Sequence, residues 1–200
     1  MSKPVNDDKL PPQRWNHCMT TNNDDTVYMF GGYKNGGKYY DDLWKLKLNL
    51  NDVNESKWVV MKTGNEIKAR CSGGMTFYDN KLYVYFGSVG YELYLNDIIY
   101  LDINDNMWYN IYIKNSPKMA YFTSHNYGND IIIFGGKTQS NQLSNKLYKL
   151  NIINKTMERI IINDNNIELN ISDTNSNSTI NSYGDCVPLN MNTNNNNKIN

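Results

Sequence analysis

Histidine is nearly missing from this chain: His17 and His125 are the only two in 200 residues. A metal centre needs three or four convergent ligands. The three cysteines, Cys18, Cys71 and Cys186, are scattered and give no CxxC or HxxxH spacing to supply them. Odd in number and far apart, they also argue against a disulfide framework and for a reducing, cytoplasmic setting. Neither sign of charge is in excess, with 20 basic and 20 acidic residues. The strong positive field that non-specific nucleic-acid binding needs is therefore lacking. No apolar run approaches a membrane span, and the amino terminus has no apolar signal-peptide core. No 3.6-residue apolar stripe lasts ten residues, so no helix is expected. Nucleophile-elbow, dinucleotide and P-loop patterns are missing in any fitting context. The expectation is a protein without metal or cofactor that binds neither nucleic acid nor membrane.

Aromatics are plentiful, with 16 Tyr and 4 Trp, which favours β structure. Three stretches repeat. "VYMFGG" (Val27 to Gly32) has counterparts in "LYVYFG" (Leu82 to Gly87) and "IIIFGG" (Ile131 to Gly136). Downstream, "DDLWKLKL" (Asp41 to Leu48) matches "NDIIYLDI" (Asn96 to Ile103) and "NKLYKLNI" (Asn145 to Ile152). Phe30 to Asp42, Tyr85 to Asp97 and Phe134 to Lys146 are each twelve residues apart. Trp58 and Trp108 open a further strand, with Met157 in that slot of the third copy. Upstream stand "RWNHCMTT", "RCSGGMTF" and "KMAYFTSH", the last aligned with Lys118 in the place of Arg14 and Tyr121 in that of His17. Asp-Asn and Gly-Asn turns separate them from the glycine strands. Each unit thus reads as four short antiparallel strands with a period of about fifty residues.

These features resemble the kelch repeat. The resemblance is carried by Gly31-Gly32, Gly87 and Gly135-Gly136, by Trp44 and Tyr148, by Trp58 and Trp108, and by the "RWNH" of Arg14 to His17. It implies an all-β fold: three four-stranded blades of a β-propeller, an incomplete ring. Repeats are expected at about 11–64, 65–115 and 116–163, after a flexible 1–10 segment. The glycine pair is expected where the second strand leaves the sheet against neighbouring backbone. Phe86 takes the first glycine place in the second copy, and Lys118 and Tyr121 depart from the pattern in the third, so some twist or looseness is expected in both blades. Residues 164–200 are Asn-rich with few large apolar residues, a composition that favours disorder. "SYGDC" (Ser182 to Cys186) either opens a fourth blade at 182–200 or matches "RWNHC" by chance.

Propellers of this family mostly present loops to partners, so the resemblance implies a non-enzymatic protein-interaction module. Two competing readings remain: a relative or fragment of a kelch-type oxidase or small-molecule lyase, and a truncated product without independent role. The loops at 33–40, 88–95 and 137–144 are expected side by side at one rim. Candidate partner contacts there are Tyr33, Lys34, Tyr39, Tyr40, Tyr91, Glu92 and Tyr94. Arg14 and Arg70 either meet an acidic partner at the channel mouth or bond groups of the adjacent blade. Asp41, Asp42 and Asp97 are expected to bond backbone amides at turns. Three blades leave open faces, from which self-association or packing on a partner is expected.

Overall fold

The computed structural model describes residues 10–22 and 24–162. The expectations for residues 1–9, for the 164–200 stretch and for a fourth blade at 182–200 lie outside them. The first repeat holds β1 (Cys18–Thr21), β2 (Thr26–Phe30), the two-residue β3 (Tyr33–Lys34) and β4 (Lys38–Tyr39), β5 (Leu43–Lys47) and β6 (Lys57–Met61). The second holds β7 (Gly74–Tyr78), β8 (Lys81–Tyr85), β9 (Ile98–Asp102) and β10 (Met107–Ile111). The third holds β11 (Met119–Ala120), β12 (Thr123–Tyr127), β13 (Asp130–Phe134), β14 (Lys137–Thr138), β15 (Leu147–Asn151) and β16 (Thr156–Ile160). Three antiparallel four-stranded blades result, in the orders β1-β2-β5-β6, β7-β8-β9-β10 and β12-β13-β15-β16. The first strands β1 and β12 both pack against β7, which places them on the inner side of an arc.

Turn chemistry fixes the registers. Asp79 and Asn80 have φ of 48° and 53°, the doubly left-handed pair that a two-residue hairpin favours because its twist matches the strands. Gly128 opens the equivalent turn of the third blade at φ 58°. The polar insertion of the first repeat forms a single 3-10 turn, Val53–Glu55, whose first free amides are met by the Asp52 side chain bonding the Asn54 N–H.

The unbroken apolar run of β8 has a simple cause: both of its faces are covered. Leu82 and Val84 point to the first blade, against Tyr28, Phe30 and Leu43. Tyr83 and Tyr85 point to the third, against Ile131, Ile133 and Leu150. The period of two sends alternate residues to opposite sides, so each junction between blades is an apolar wedge. Burying one such side chain contributes about 1.5–3 kcal/mol. Phe86 does not loosen this wedge. It adopts φ 59°, is fully buried, and meets Phe122 edge to face. Core burial there offsets a strained backbone of about 1–2 kcal/mol.

Candidate partner-binding rim

Because β1 runs antiparallel to β2 and pairs Cys18 with Phe30, the entry to each inner strand lies at the same end as the loop after each glycine strand. Single bridges tie the two in the first repeats, Trp15 to Tyr33 and Cys71 to Ser88, and the short β11–β14 ladder, Met119 with Thr138 and Ala120 with Lys137, does so in the third. Neighbouring repeats are stitched at this end by backbone bonds. The Gly32 N–H donates to the Arg70 carbonyl at 2.8 Å, and the Gly87 N–H to the Met119 carbonyl at 3.0 Å. Nearer the axis, the Ser72 N–H donates to Asn16 and the Tyr121 N–H to Ser72.

These bonds correct the alignment of the third repeat. Met119, and not Lys118, occupies the place of Arg14 and Arg70. Tyr121 shares the place of Asn16 and Ser72, all three with positive φ, and Phe122 falls where His17 stands. The close approach also explains the glycines. At Gly136 (φ 82°) a Cβ would lie 2.5 Å from the Ala120 carbonyl oxygen, and at Gly87 (φ 100°) 2.7 Å from that of Cys71.

Arg14 and Arg70 are turned inward, with only 2% of each side chain exposed. Arg70 donates to both carboxylate oxygens of Asp97 at 2.7 and 2.8 Å, and to the Phe86 and Lys68 carbonyls. Arg14 grips Asp42 in the same bidentate way and reaches the Gly31 carbonyl. The acceptors therefore belong to the arginine's own repeat and not to the adjacent blade. Asp42 and Asp97 likewise serve arginine; Asp42 also accepts from the Trp44 indole. Burial raises the Asp42 carboxyl, but the Arg14 and Trp44 hydrogen bonds and the Arg14 charge outweigh it and hold the group below its ordinary value. The third blade carries Met119 and Lys146 at these two positions, so both partners of the pair differ together.

The rim tyrosines divide. Tyr40 is buried under the Arg14 guanidinium, 3.9 Å from its ring centre. Tyr94 is buried too, its hydroxyl donating to Asn141 at 3.1 Å, while the Asn141 amide donates to Glu92 at 2.7 Å. That pair of bonds places the second and third loops side by side. Tyr33 and Tyr39 are half-exposed and touch edge to face; Lys34 is exposed. Tyr91 is 86% exposed. Two further aromatics join this set, Trp15 and Tyr121, 42% and 49% exposed. Trp15 packs edge-on against Tyr33, and Tyr121 against Tyr94. The signal was available: both stand at an inner-strand entry, which must share a rim with the glycine loops. Burial first, then the nearby Cys71, Tyr121 and Tyr33, push the Tyr39 hydroxyl above its ordinary value. It stays a neutral donor at physiological pH.

Basic side chains flank these rings. Lys38 lies 5.1 Å from the Tyr40 ring centre and Lys137 5.9 Å from that of Tyr121. Among the described residues, no three His, Cys, Asp or Glu side chains come together as a ligand set for a metal. None of the described helices is long and apolar enough to cross a membrane.

Comparison with known proteins agrees with this architecture. The KLHDC2/KLHL20/DRC7 Kelch-repeats domain matches residues 1–168. The chain belongs to that kelch-repeat family, and its blades are those of a kelch-type β-propeller. A solved structure titled "Structure of YjhT" superposes with a TM-score of 0.59 at 16% identity, covering 76% of this chain and 52% of that one. The dynein alpha chain of the flagellar outer arm from Chlamydomonas reinhardtii is 25% identical over 146 residues, 71% of this chain and 3% of that protein. The chain thus spans a small fraction of this curated relative and about half of the solved structure.

Proposed function

We propose that the chain is a non-enzymatic protein-interaction module whose partner docks on the rim built from residues 14–17, 31–42, 70–73, 86–97, 119–122 and 135–146. The family supports an interaction role in general. The observation that carries the specific reading is the group of accessible aromatics gathered there from three repeats: Trp15, Tyr33, Tyr39, Tyr91 and Tyr121. Large rings with polar tips, held by a rigid scaffold, are the side chains that dominate binding energy at interfaces. Lys34, Lys38, Lys137 and Lys146 outnumber Asp41 and Glu92, the acidic side chains of the rim outside the arginine pairs, so the rim suits a segment that combines acidic and apolar side chains.

The test is affinity capture with the whole chain, read by mass spectrometry, beside two variants. Tyr39→Ala with Tyr91→Ala should lose the captured partner by about tenfold or more, the effect of removing an interface anchor, without a change in thermal melting. Leu50→Ala, on the opposite rim, should retain it. Capture that survives the tyrosine changes and fails with the leucine change would assign binding to the other rim.

A further inference from the structure

The turn Asn35-Gly36-Gly37 takes no part in the packing of the rim. It joins β3 to β4 and closes the short hairpin in which Lys34 pairs with Lys38. All three of its residues are exposed, and a Cβ on either glycine would meet nothing within 4 Å. The chain is rich in asparagine, yet an asparagine followed directly by glycine occurs only here in its 200 residues.

That order of residues carries a chemistry of its own. The side-chain amide of an asparagine is open to attack by the backbone nitrogen of the next residue. The attack needs a next residue with no Cβ in the way, a backbone N–H that no hydrogen bond holds, and a side-chain amide that is equally free. Asn35 meets all three conditions. Among the described residues nothing accepts from the Gly36 N–H, and none holds the Asn35 side chain. Other asparagines fail the first condition, and many fail a further one. The Ser116 N–H that follows Asn115 donates to the Ile113 carbonyl. The Asn65, Asn126 and Asn141 amides are tied to Trp108, Thr76 and Glu92.

We propose that Asn35 is a self-modifying site, which converts to aspartate and isoaspartate with water as the only co-reactant. The Gly36 nitrogen bonds to the Asn35 Cγ, and the Cγ–Nδ2 bond breaks. The proton from the Gly36 N–H ends on the leaving group, which departs as ammonia. The succinimide ring so formed takes up one water, its hydroxyl on a ring carbonyl carbon and its proton on the ring nitrogen. Opening at Cγ restores the ordinary main chain and leaves aspartate. Opening at the backbone carbonyl carbon routes the main chain through Cγ and leaves isoaspartate. Lys34 and Lys38 flank the turn, and their positive charges favour the steps in which negative charge gathers there. Either product places a carboxylate between two lysines that otherwise face each other as like charges. Isoaspartate also adds a methylene to the main chain, which shifts the Tyr33–Tyr39 contact, now 5.0 Å between ring centres. The conversion makes the rim less suited to an acidic segment. That consequence rests on the rim reading, whereas the conversion itself does not.

The test is peptide mapping by mass spectrometry of the whole folded chain after storage at neutral and at mildly alkaline pH. An isoaspartate-specific methyltransferase gives a second readout. The Asn35 peptide should gain the mass of the nitrogen-to-oxygen exchange at least about tenfold faster than that of any other described asparagine, as an unprotected loop tip allows. The rate should rise with pH. Asn35→Gln should abolish the methyl-accepting product at this position with an unchanged thermal midpoint, and Gly36→Ala should slow the conversion. Conversion no faster at Asn35 than elsewhere, or a rate that Gly36→Ala leaves unchanged, would overturn the proposal. If Asn35 converts as expected while Tyr39→Ala with Tyr91→Ala keeps the captured partner, the rim reading fails and the modification site stands.

Discussion

Arg70 and Asp97 form a fork-to-fork pair inside one repeat, their bonds 2.7 and 2.8 Å long, with the arginine side chain 98% withdrawn from solvent. Both carboxylate oxygens are engaged, so the guanidinium binds the strand entry to the loop before β9. Such a pair is specific in geometry, but removal of one member leaves an uncompensated charge. Arg70→Met alone should therefore cost about 3 kcal/mol. Arg70→Met with Asp97→Lys recreates the Met119 and Lys146 pair of the third blade and should cost markedly less than the two single changes together. Urea melts of the four proteins form a double-mutant cycle. Additive losses would contradict the claim that these positions act as a pair.

Two glycines one loop apart separate crowding from backbone strain. Gly32 and Gly36 both have positive φ, 105° and 98°, so a side chain at either is strained. A Cβ at Gly32 would also lie 3.1 Å from the His17 Cβ and the Trp15 carbonyl oxygen, while nothing lies within 4 Å of one at Gly36. Gly36→Val should cost about 1–2 kcal/mol from strain alone. Gly32→Val should cost about 3 kcal/mol or more, because overpacking adds to the strain. Equal shifts in thermal midpoint would count against the close packing of the rim entry on the glycine strand.

Acid should weaken the fold in two stages. The His17 imidazole is held below its ordinary 6.5, by loss of hydration first and by the Arg14 charge second. The unfolded chain then takes up this proton before the folded one, so stability begins to fall as pH drops below about 6.5. Asp42 is also depressed, from an ordinary 3.8. Its contribution is complete above pH of about 4 and is lost as pH falls through the folded value. Chemical melts at pH 7, 5 and 3 should show declining stability. His17→Gln should flatten the first stage, and the gap between wild type and Asp42→Asn should narrow in the second. A stability unchanged from pH 7 to pH 3 would contradict both.

The strands were legible because two constraints act on short stretches: alternation sets the faces, and glycine marks where backbone meets backbone. Val27 to Gly32, Leu82 to Gly87 and Ile131 to Gly136 satisfy both and fall into register in space. The entry of the third repeat was legible only to within one residue. Lys118 resembles Arg14 in charge, whereas Met119 holds the position through a backbone bond from Gly87 that has no side-chain signature. The fates of Tyr39 and Tyr40 were not legible. They are neighbours of identical chemistry, and burial of the second follows from a guanidinium arriving from residue 14. Trp15 and Tyr121 reach the rim through the antiparallel pairing of strand one with strand two, a relation of topology and not of local pattern. The Asp42 and Asp97 pairings joined residues 28 and 27 positions apart, which only the folded blade brings together.

The aromatic rim is tested most directly by hydrogen exchange of the chain with and without its captured partner. Protection is predicted at residues 31–42, 86–97 and 135–146 and at the entries around Trp15, Cys71 and Tyr121. The hairpins of the opposite rim, at 48–56, 103–106 and 152–155, should exchange as they do in the free chain. Protection confined to those hairpins, with the aromatic loops unchanged, would contradict the account.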